Sequence, residues 1–312
     1  MAKILDGRAL SEKIKKEVRE DVEKLRERGI EVGLGLMLVG ENPASLSYFE
    51  ATTRATKKLG IRAFEFRFPG NVSINELLNS VHSINRDERI NGLLVLFPLP
   101  KHINARRIVN EIAPEKDVDG LGYRSIGRLA ADESMLQIFS SGGATPPECR
   151  HLPANAGFLP CTPYGVIRLL EHYEIPMKGM HAVIIGKSLA VGKPLSLMFL
   201  AKGATVSVCH RDTKDLASIT RQADMLCSAT GVPGLVKGDM VKEGAVVVDI
   251  GIKVLEEGKI TGDVEFESVE KRASYVTPVP GGVGPVTIAM LLENTVRSAN
   301  LNEFLKSPMT ME

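Results

Sequence analysis

His181-Ala182-Val183-Ile184-Ile185 runs directly into Gly186-Lys187-Ser188-Leu189-Ala190-Val191-Gly192-Lys193-Pro194, and this stretch decides the fold. The apolar run ahead of a glycine has the length of a buried strand, and Val191–Ala201 has the apolar spacing of a helix. A glycine-rich turn between strand and helix lets backbone N–H groups and the helix N-terminus face a pyrophosphate. The spacing is not the common GxGxxG, so a tight turn holding no ligand is the alternative.

Working outward from this turn, a strand is expected at Thr205–Cys209, with others at Met225–Ala229, Ala245–Ile250 and Tyr275–Thr277, and Pro163–Tyr173 reads as a helix ahead of it. Strand, glycine turn, helix, strand is the order of a dinucleotide-binding fold. The strand at Thr205 ends in Cys209-His210-Arg211-Asp212, where such a fold meets the adenosine ribose. Arg211 and Lys187 suit a 2′-phosphate, Asp212 a free 2′-hydroxyl; the balance leans to NADP over NAD. Solvated surface charge is the plain alternative for each.

Upstream, Ser11–Arg28 carries Ile14, Val18, Val22 and Leu25 on one helical stripe. Strands at Val32–Val39, Arg62–Arg67 and Gly92–Phe97 alternate with helices at Ala44–Leu59 and Ile74–Asn85. Such alternation implies a second, mostly parallel sheet with helices on its faces. The fold class is therefore α/β with two domains, and Pro285–Ser298 is a closing helix that pattern alone assigns to neither. Ala131–Phe158, rich in Ser, Gly, Pro and Ala, reads as a flexible loop or linker.

Composition agrees with a soluble enzyme-sized chain. The 312 residues are 44% hydrophobic and 25% charged, and the net charge of +1 exerts no long-range pull on nucleic acid or acidic membranes. The N-terminus alternates charged and apolar residues, unlike a signal peptide, and no apolar run approaches the roughly 20 residues of a membrane helix. Cys149, Cys161, Cys209 and Cys227 form no CxxC pair, which points to reduced thiols and a cytoplasmic protein. Cys149 and His151 lack the spacing of a zinc site, so no metal is expected and the segment reads as a surface loop.

Several segments together resemble the bifunctional methylenetetrahydrofolate dehydrogenase/methenyltetrahydrofolate cyclohydrolase family. They are Asn42-Pro43-Ala44-Ser45 with Tyr48, Pro98-Leu99-Pro100, Lys116-Asp117-Val118-Asp119-Gly120, Gly127-Arg128-Leu129, Pro160-Cys161-Thr162-Pro163, the Gly186–Pro194 turn, and Thr277 through Pro285. The match spans nearly the whole chain apart from Ala131–Phe158. The resemblance implies a folate domain of residues 1–145 closed by the helix in 285–312, a Rossmann domain of residues 146–284, and a homodimer through the Rossmann domains. It also implies a folate substrate in a cleft between the domains. Tyr48 would stack on the pterin, Asp119 would bond its ring nitrogens, and Pro278, Gly281 and Gly282 would line the site. The cofactor set it implies is Gly186, Lys187, Ser188, Val191, Gly192, Pro194, Arg211, Asp212, Thr230 and Ile252.

Two departures stand out. The family carries a lysine four residues after the tyrosine, where this chain has Thr52, and a glutamine two residues before the proline, where it has Leu96. Hydride transfer asks the protein chiefly to position donor and acceptor, whereas opening the methenyl ring needs protons moved. The expectation is an NADP-dependent (or NAD-dependent) methylenetetrahydrofolate dehydrogenase whose cyclohydrolase activity is weak or absent. The alternatives are a non-catalytic folate- or nucleotide-binding paralogue and a dehydrogenase of another one-carbon pterin.

Overall fold

A computed structural model describes residues 1–131, 136, 157–255 and 258–306, and the chain divides into two compact units. One unit joins residues 1–12 to Thr162–Thr287, and the other joins Lys13–Cys161 to the chain from Ile288 onward. Most of the expected Ala131–Phe158 loop, with Cys149 and His151, lies outside the described residues.

The first unit is built on six parallel strands. In chain order they are β1 (Lys3–Ile4), β5 (His181–Ile185), β6 (Thr205–Cys209), β7 (Met225–Ser228), β8 (Val246–Asp249) and β11 (Tyr275–Val276). Their order across the sheet is β1-β11-β8-β7-β5-β6, with every pair parallel. Strand order therefore reverses between β5 and β7, the switch point of a doubly wound sheet. The helix α6 (Cys161–His172) precedes β5, and α7 (Gly192–Ala201) crosses from β5 to β6. Two short helices, α8 (Leu216–Thr220) and α9 (Phe266–Val269), come before β7 and β11. Val183, Ile185, Leu226, Val247 and Val276 form one core of this unit.

The second unit has three parallel strands, β2 (Gly33–Val39), β3 (Arg62–Phe68) and β4 (Gly92–Val95), in the order β3-β2-β4. Every residue of β2 is buried, as a central strand covered on both faces requires. Between these strands run α2 (Pro43–Leu59) and α3 (Ile74–Arg86); α4 (Ala105–Glu111) and α5 (Tyr123–Ala131) follow. Asn42 starts α2 by accepting from the amides of Ala44 and Ser45, with Pro43 in the first turn, and left-handed Gly60 ends it. Met37, Leu77, Val81, Ile84, Val95 and Ile108 share one core.

The long helices α1 (Gly7–Glu27) and α10 (Val283–Lys306) each contribute residues to both units. From Ile288 onward α10 belongs with the three-stranded unit, where Asn294 Nδ2 donates to the Val118 carbonyl at 2.8 Å. Residues 1–12, expected with the folate domain, group with the six-stranded unit instead. The reason is β1, whose Lys3 and Ile4 pair with Tyr275 and Val276 as an added edge strand. The sequence pattern also gave no sign of α4, α5 or the small antiparallel pair β9 (Lys253–Val254) and β10 (Ile260–Thr261).

Candidate functional site

The Gly186 turn occupies the switch point. The Gly186 amide donates to the Cys209 carbonyl at 2.8 Å and the Ala229 amide to the Ile185 carbonyl at 2.8 Å, so the ends of β6, β5 and β7 meet at this turn. Gly186 has φ +121°, and a Cβ there would stand 2.5 Å from the Ala229 oxygen. At Gly192 a Cβ would stand 1.9 Å from the Gly186 oxygen. Both positions demand glycine, one for conformation and one for space. Ser188 Oγ accepts from the amides of Val191 (3.1 Å) and Gly192 (3.4 Å), shaping the start of α7. Val191 offers α7 no side-chain cap. The Gly192 amide goes to Ser188 Oγ, the Lys193 amide to the Ser188 carbonyl at 3.2 Å, and Pro194 has no N–H. The helix thus offers an anion its dipole rather than free first-turn amides. The cradle fits a dinucleotide pyrophosphate.

Charge gathers at the end of β6. Lys187 Nζ lies 4.0 Å from Asp212 Oδ2, Arg211 Nε 3.7 Å from Asp212 Oδ1, and His210 Nδ1 3.3 Å from Asp212 Oδ2. Lys187, Arg211 and Asp212 are solvent-exposed, so these pairs hold one another only weakly and are free to exchange for a ligand. Of the other expected cofactor residues, Pro194 is buried in the first turn of α7, Thr230 follows β7, and the exposed Ile252 follows β8.

Ile252 Cδ1 also comes near Gly284, where a Cβ would meet it at 3.8 Å, placing it beside the expected substrate segment. In that segment the Gly281 carbonyl accepts from the Gly7 amide at 3.0 Å and the Pro278 carbonyl from the Gly282 amide at 2.8 Å. A Cβ on Gly282 would stand 2.6 Å from the Pro278 oxygen, so the turn closes only with glycine.

In the second unit, the tyrosine helix and the acidic turn belong to one electrostatic cluster. Tyr48, on α2, is half-buried, and burial with the nearby Asp119 charge pushes its hydroxyl pKa well above the ordinary value. Asp119 follows Val118 in a turn closed by the Gly120 amide on the Asp117 carbonyl (2.9 Å), with Gly120 left-handed at φ +68°. Burial first, and the Asp117 charge second, raise Asp119 to about 7. Asp117 itself is lifted to about 6 by burial, although Ser125 Oγ (2.7 Å) and the amides of Leu121 (3.1 Å) and Gly122 (2.9 Å) donate to it. The Cys161 thiol donates to the Val118 carbonyl at 3.2 Å, and burial pushes its pKa up, so it is held as a thiol.

Thr52 and Leu96 are 0% and 2% exposed. Thr52 Oγ1 donates back to the Tyr48 carbonyl at 2.8 Å, an intrahelical bond one turn away. Leu96 continues β4 by donating its amide to the Met37 carbonyl at 2.9 Å. Ser45 Oγ donates to the Phe97 carbonyl at 2.9 Å and ties α2 to the Pro98 segment. Lys57 and Lys58 are exposed at the far end of α2, about 7–9 Å along the axis from position 52 at 1.5 Å per residue. Sequence reasoning missed the supports: Asp117, Ser125 and Asn294 here, and a buried Asp249–Asp263 pair in the first unit. The only signal of the three aspartates is an acid at the end of an apolar strand or in a glycine turn, and Ser125 and Asn294, both on helices, give none.

A doubly wound parallel sheet with a glycine cradle at its switch point, in one chain with an α/β unit that holds a buried acidic cluster, defines a two-domain nucleotide-dependent enzyme. Comparison with known families agrees. Residues 160–303 match the tetrahydrofolate dehydrogenase/cyclohydrolase NAD(P)-binding domain, and residues 5–119 match the catalytic domain of the same family. The bifunctional protein FolD of Campylobacter jejuni is 49% identical over 296 residues, covering 95% of this chain and 98% of that one. The crystal structure of a Campylobacter jejuni FolD superposes with a TM-score of 0.85 at 48% identity, covering 96% and 99% of the two chains. The Trypanosoma brucei methylenetetrahydrofolate dehydrogenase-cyclohydrolase, solved with NADP and an inhibitor, gives a TM-score of 0.85 at 34% identity, covering 97% and 98%. The chain belongs to the tetrahydrofolate dehydrogenase/cyclohydrolase family. Among the described residues no helix is long and apolar enough to cross a membrane, and no group of His, Cys, Asp or Glu is arranged to hold a metal ion.

Proposed function

We propose that this protein oxidises 5,10-methylenetetrahydrofolate to 5,10-methenyltetrahydrofolate with NADP, and that its cyclohydrolase activity is weak or absent. The observation that carries the proposal is a contrast: the glycine cradle at Gly186 and Gly192 is intact, while Thr52 and Leu96, both buried, supply no side chain able to transfer a proton. The cofactor supplies the hydride acceptor when bound. The chain's own task is to hold it: the α7 N-terminus and the Ser188-shaped turn for the pyrophosphate, Lys187 and Arg211 for a 2′-phosphate, Thr230 and Ile252 beyond β7 and β8.

Tyr48 stacks on the pterin, and Asp119 accepts hydrogen bonds from its ring nitrogens. Pro278, Gly281 and Gly282 let the backbone approach the substrate closely. Opening the methenyl ring requires water to attack a cationic carbon and protons to move, and positioned acid–base groups give such a step about 10²–10⁴-fold. Thr52 Oγ1 is engaged with the Tyr48 carbonyl, and Leu96 has no proton to exchange. The relatives' bifunctional names favour a second reading, in which Asp119, raised to about 7, serves as a substitute proton carrier.

A homodimer through the six-stranded unit is supported by the edge position of β6 and by exposed Val208 and Leu200. Cys161, Cys209 and Cys227 are free and buried, in keeping with the reducing cytoplasm. A paired assay tests the activity. Absorbance follows methenyl product formation with NADP and with NAD, and decay of added methenyl substrate is compared with buffer. Methenyl accumulation with decay at the buffer rate is the expected outcome. Enzyme-accelerated decay overturns the loss of cyclohydrolase and selects the second reading; silence in both assays overturns the dehydrogenase.

A further inference from the structure

Asp263 is 0% exposed, in the turn after β10, and its two oxygens are treated very differently. Oδ2 accepts three hydrogen bonds, from Ser228 Oγ (2.7 Å), the Thr230 amide (2.7 Å) and Thr230 Oγ1 (2.8 Å). Oδ1 has no hydrogen-bond partner, and it presses against Gly251, where a Cβ would stand 2.0 Å away. Its neighbour Asp249, 3% exposed, accepts from the amides of Gly251 (3.1 Å), Asp263 (2.9 Å) and Val264 (2.9 Å). The Asp249 amide in turn donates to Thr277 Oγ1 at 2.7 Å, at the head of the Pro278–Gly282 segment. One buried network thus links the ends of β7, β8 and β11.

Burying a carboxyl group with one oxygen unsatisfied is costly, and an amide side chain would fill the same space and offer the three donors an oxygen without a buried charge. The network's position supplies a reason. Across the sheet, β6 lies on one side of the Gly186 turn, and β7, β8 and β11 lie on the other. A dinucleotide laid over the switch point with its adenosine end at β6 has its nicotinamide end over the Asp263 network.

We infer that Asp263 is a positioning residue for the nicotinamide half of the cofactor. It holds Thr230 by side chain and backbone and sets Gly251–Ile252 by contact, while Asp249 fixes the same turn and the start of the substrate segment. The inference rests on the dinucleotide assignment of the Gly186 turn. The amide variant Asp263→Asn keeps the shape, but it offers the three donors a neutral oxygen in place of a carboxylate and puts an amino group with no acceptor where Oδ1 has no partner.

Calorimetric titration tests this with two ligands, NADP and its adenosine half, 2′,5′-ADP. In Asp263→Asn, NADP affinity is expected to fall about 10-fold or more, while 2′,5′-ADP affinity stays within about twofold. In steady state the KM for NADP rises and the KM for folate does not. Gly251→Ala, which displaces the Asp263 carboxyl from the opposite side, gives the same split and serves if the first variant fails to fold. Unchanged NADP binding in Asp263→Asn overturns the inference, as does an equal loss for both ligands, which marks general damage. Wild-type protein that binds neither ligand overturns the dinucleotide assignment instead.

Discussion

The two units treat their chemistry in opposite ways. Around Gly186 every special backbone feature is present: left-handed φ at the strand end, a second glycine closed upon the first, and a helix start without a side-chain cap. Around Tyr48 the scaffold is present, but positions 52 and 96 hold a hydroxyl turned on its own helix and an apolar residue extending a strand. Binding geometry is built from backbone and resists partial loss, because a substitution there collides. Acid–base catalysis is built from side-chain ends, and under the proposed function two residues that pack well, Thr52 and Leu96, are enough to remove it. On the proposed reading, hydride transfer and ring opening are separable in this fold, since the first needs position and the second needs titratable groups.

The sharpest way to break the contrast is to put a lysine at position 52 and a glutamine at position 96. Thr52→Lys with Leu96→Gln is expected to raise cyclohydrolase activity by on the order of 10²–10³-fold, leaving dehydrogenase activity within a few-fold. Position 52 is fully buried, so the melting temperature falls, and methenyl decay is measured well below the new midpoint. An unchanged decay rate in a folded double variant shows that more than these two side chains separates the activities.

Gly192→Ala attacks the other side of the comparison. Its Cβ falls 1.9 Å from the Gly186 oxygen, so the turn must open. Strain of about 2–3 kcal/mol translates to roughly 30–150-fold weaker NADP binding by calorimetry. Folate binding, whose proposed contacts Tyr48 and Asp119 lie in the other unit, is expected to hold.

Asp119→Asn comes next, raising the folate KM by about 10–100-fold, since hydrogen bonds to a charged group contribute about 1.5–3 kcal/mol. With Asp119 at about 7, the wild-type folate KM rises about tenfold per pH unit below that value and is flat above it. Stability runs the other way. The native state keeps a proton that the unfolded chain releases, so this contribution is complete below the ordinary value of 3.8 and is lost as pH rises through about 7. Asp119→Asn flattens both profiles, read by steady-state kinetics and by denaturant midpoints.

Lys187→Ala has the smallest expected effect. It removes a cation that faces Asp212 across 4.0 Å at an exposed site, and the NADP-to-NAD ratio of kcat/KM falls about three- to tenfold, less at high salt. A ratio that does not move with the substitution assigns the 2′-phosphate to Arg211 alone.

Much of this was legible in the chain. The strand His181–Ile185, its glycine turn, and the helices at Ser11, Ala44 and Ile74 follow from apolar spacing and from residues whose backbone demands are local. Thr52 and Leu96 drew notice in the sequence only because the family resemblance implied a lysine and a glutamine at those positions. Lys3–Ile4 was not readable, since two residues have no period, and they become a strand only because β11 offers an edge. Nor was Asp263, which in sequence is an acid in a glycine turn and in space a buried hub for Ser228 and Thr230, 35 and 33 residues away.

The sequence by itself determined the alternating elements, the glycine turn and the identities of the side chains at positions 52 and 96, because periodicity, backbone freedom and side-chain chemistry are properties of the chain. Only the tertiary structure decided that Lys3–Ile4 complete the larger sheet, that Thr52 is buried with its hydroxyl bonded to its own helix, and that Asp249 and Asp263 lock three strand ends together. Burial and hydrogen-bond partnership are relations between distant segments, and no local pattern encodes them until the chain has folded.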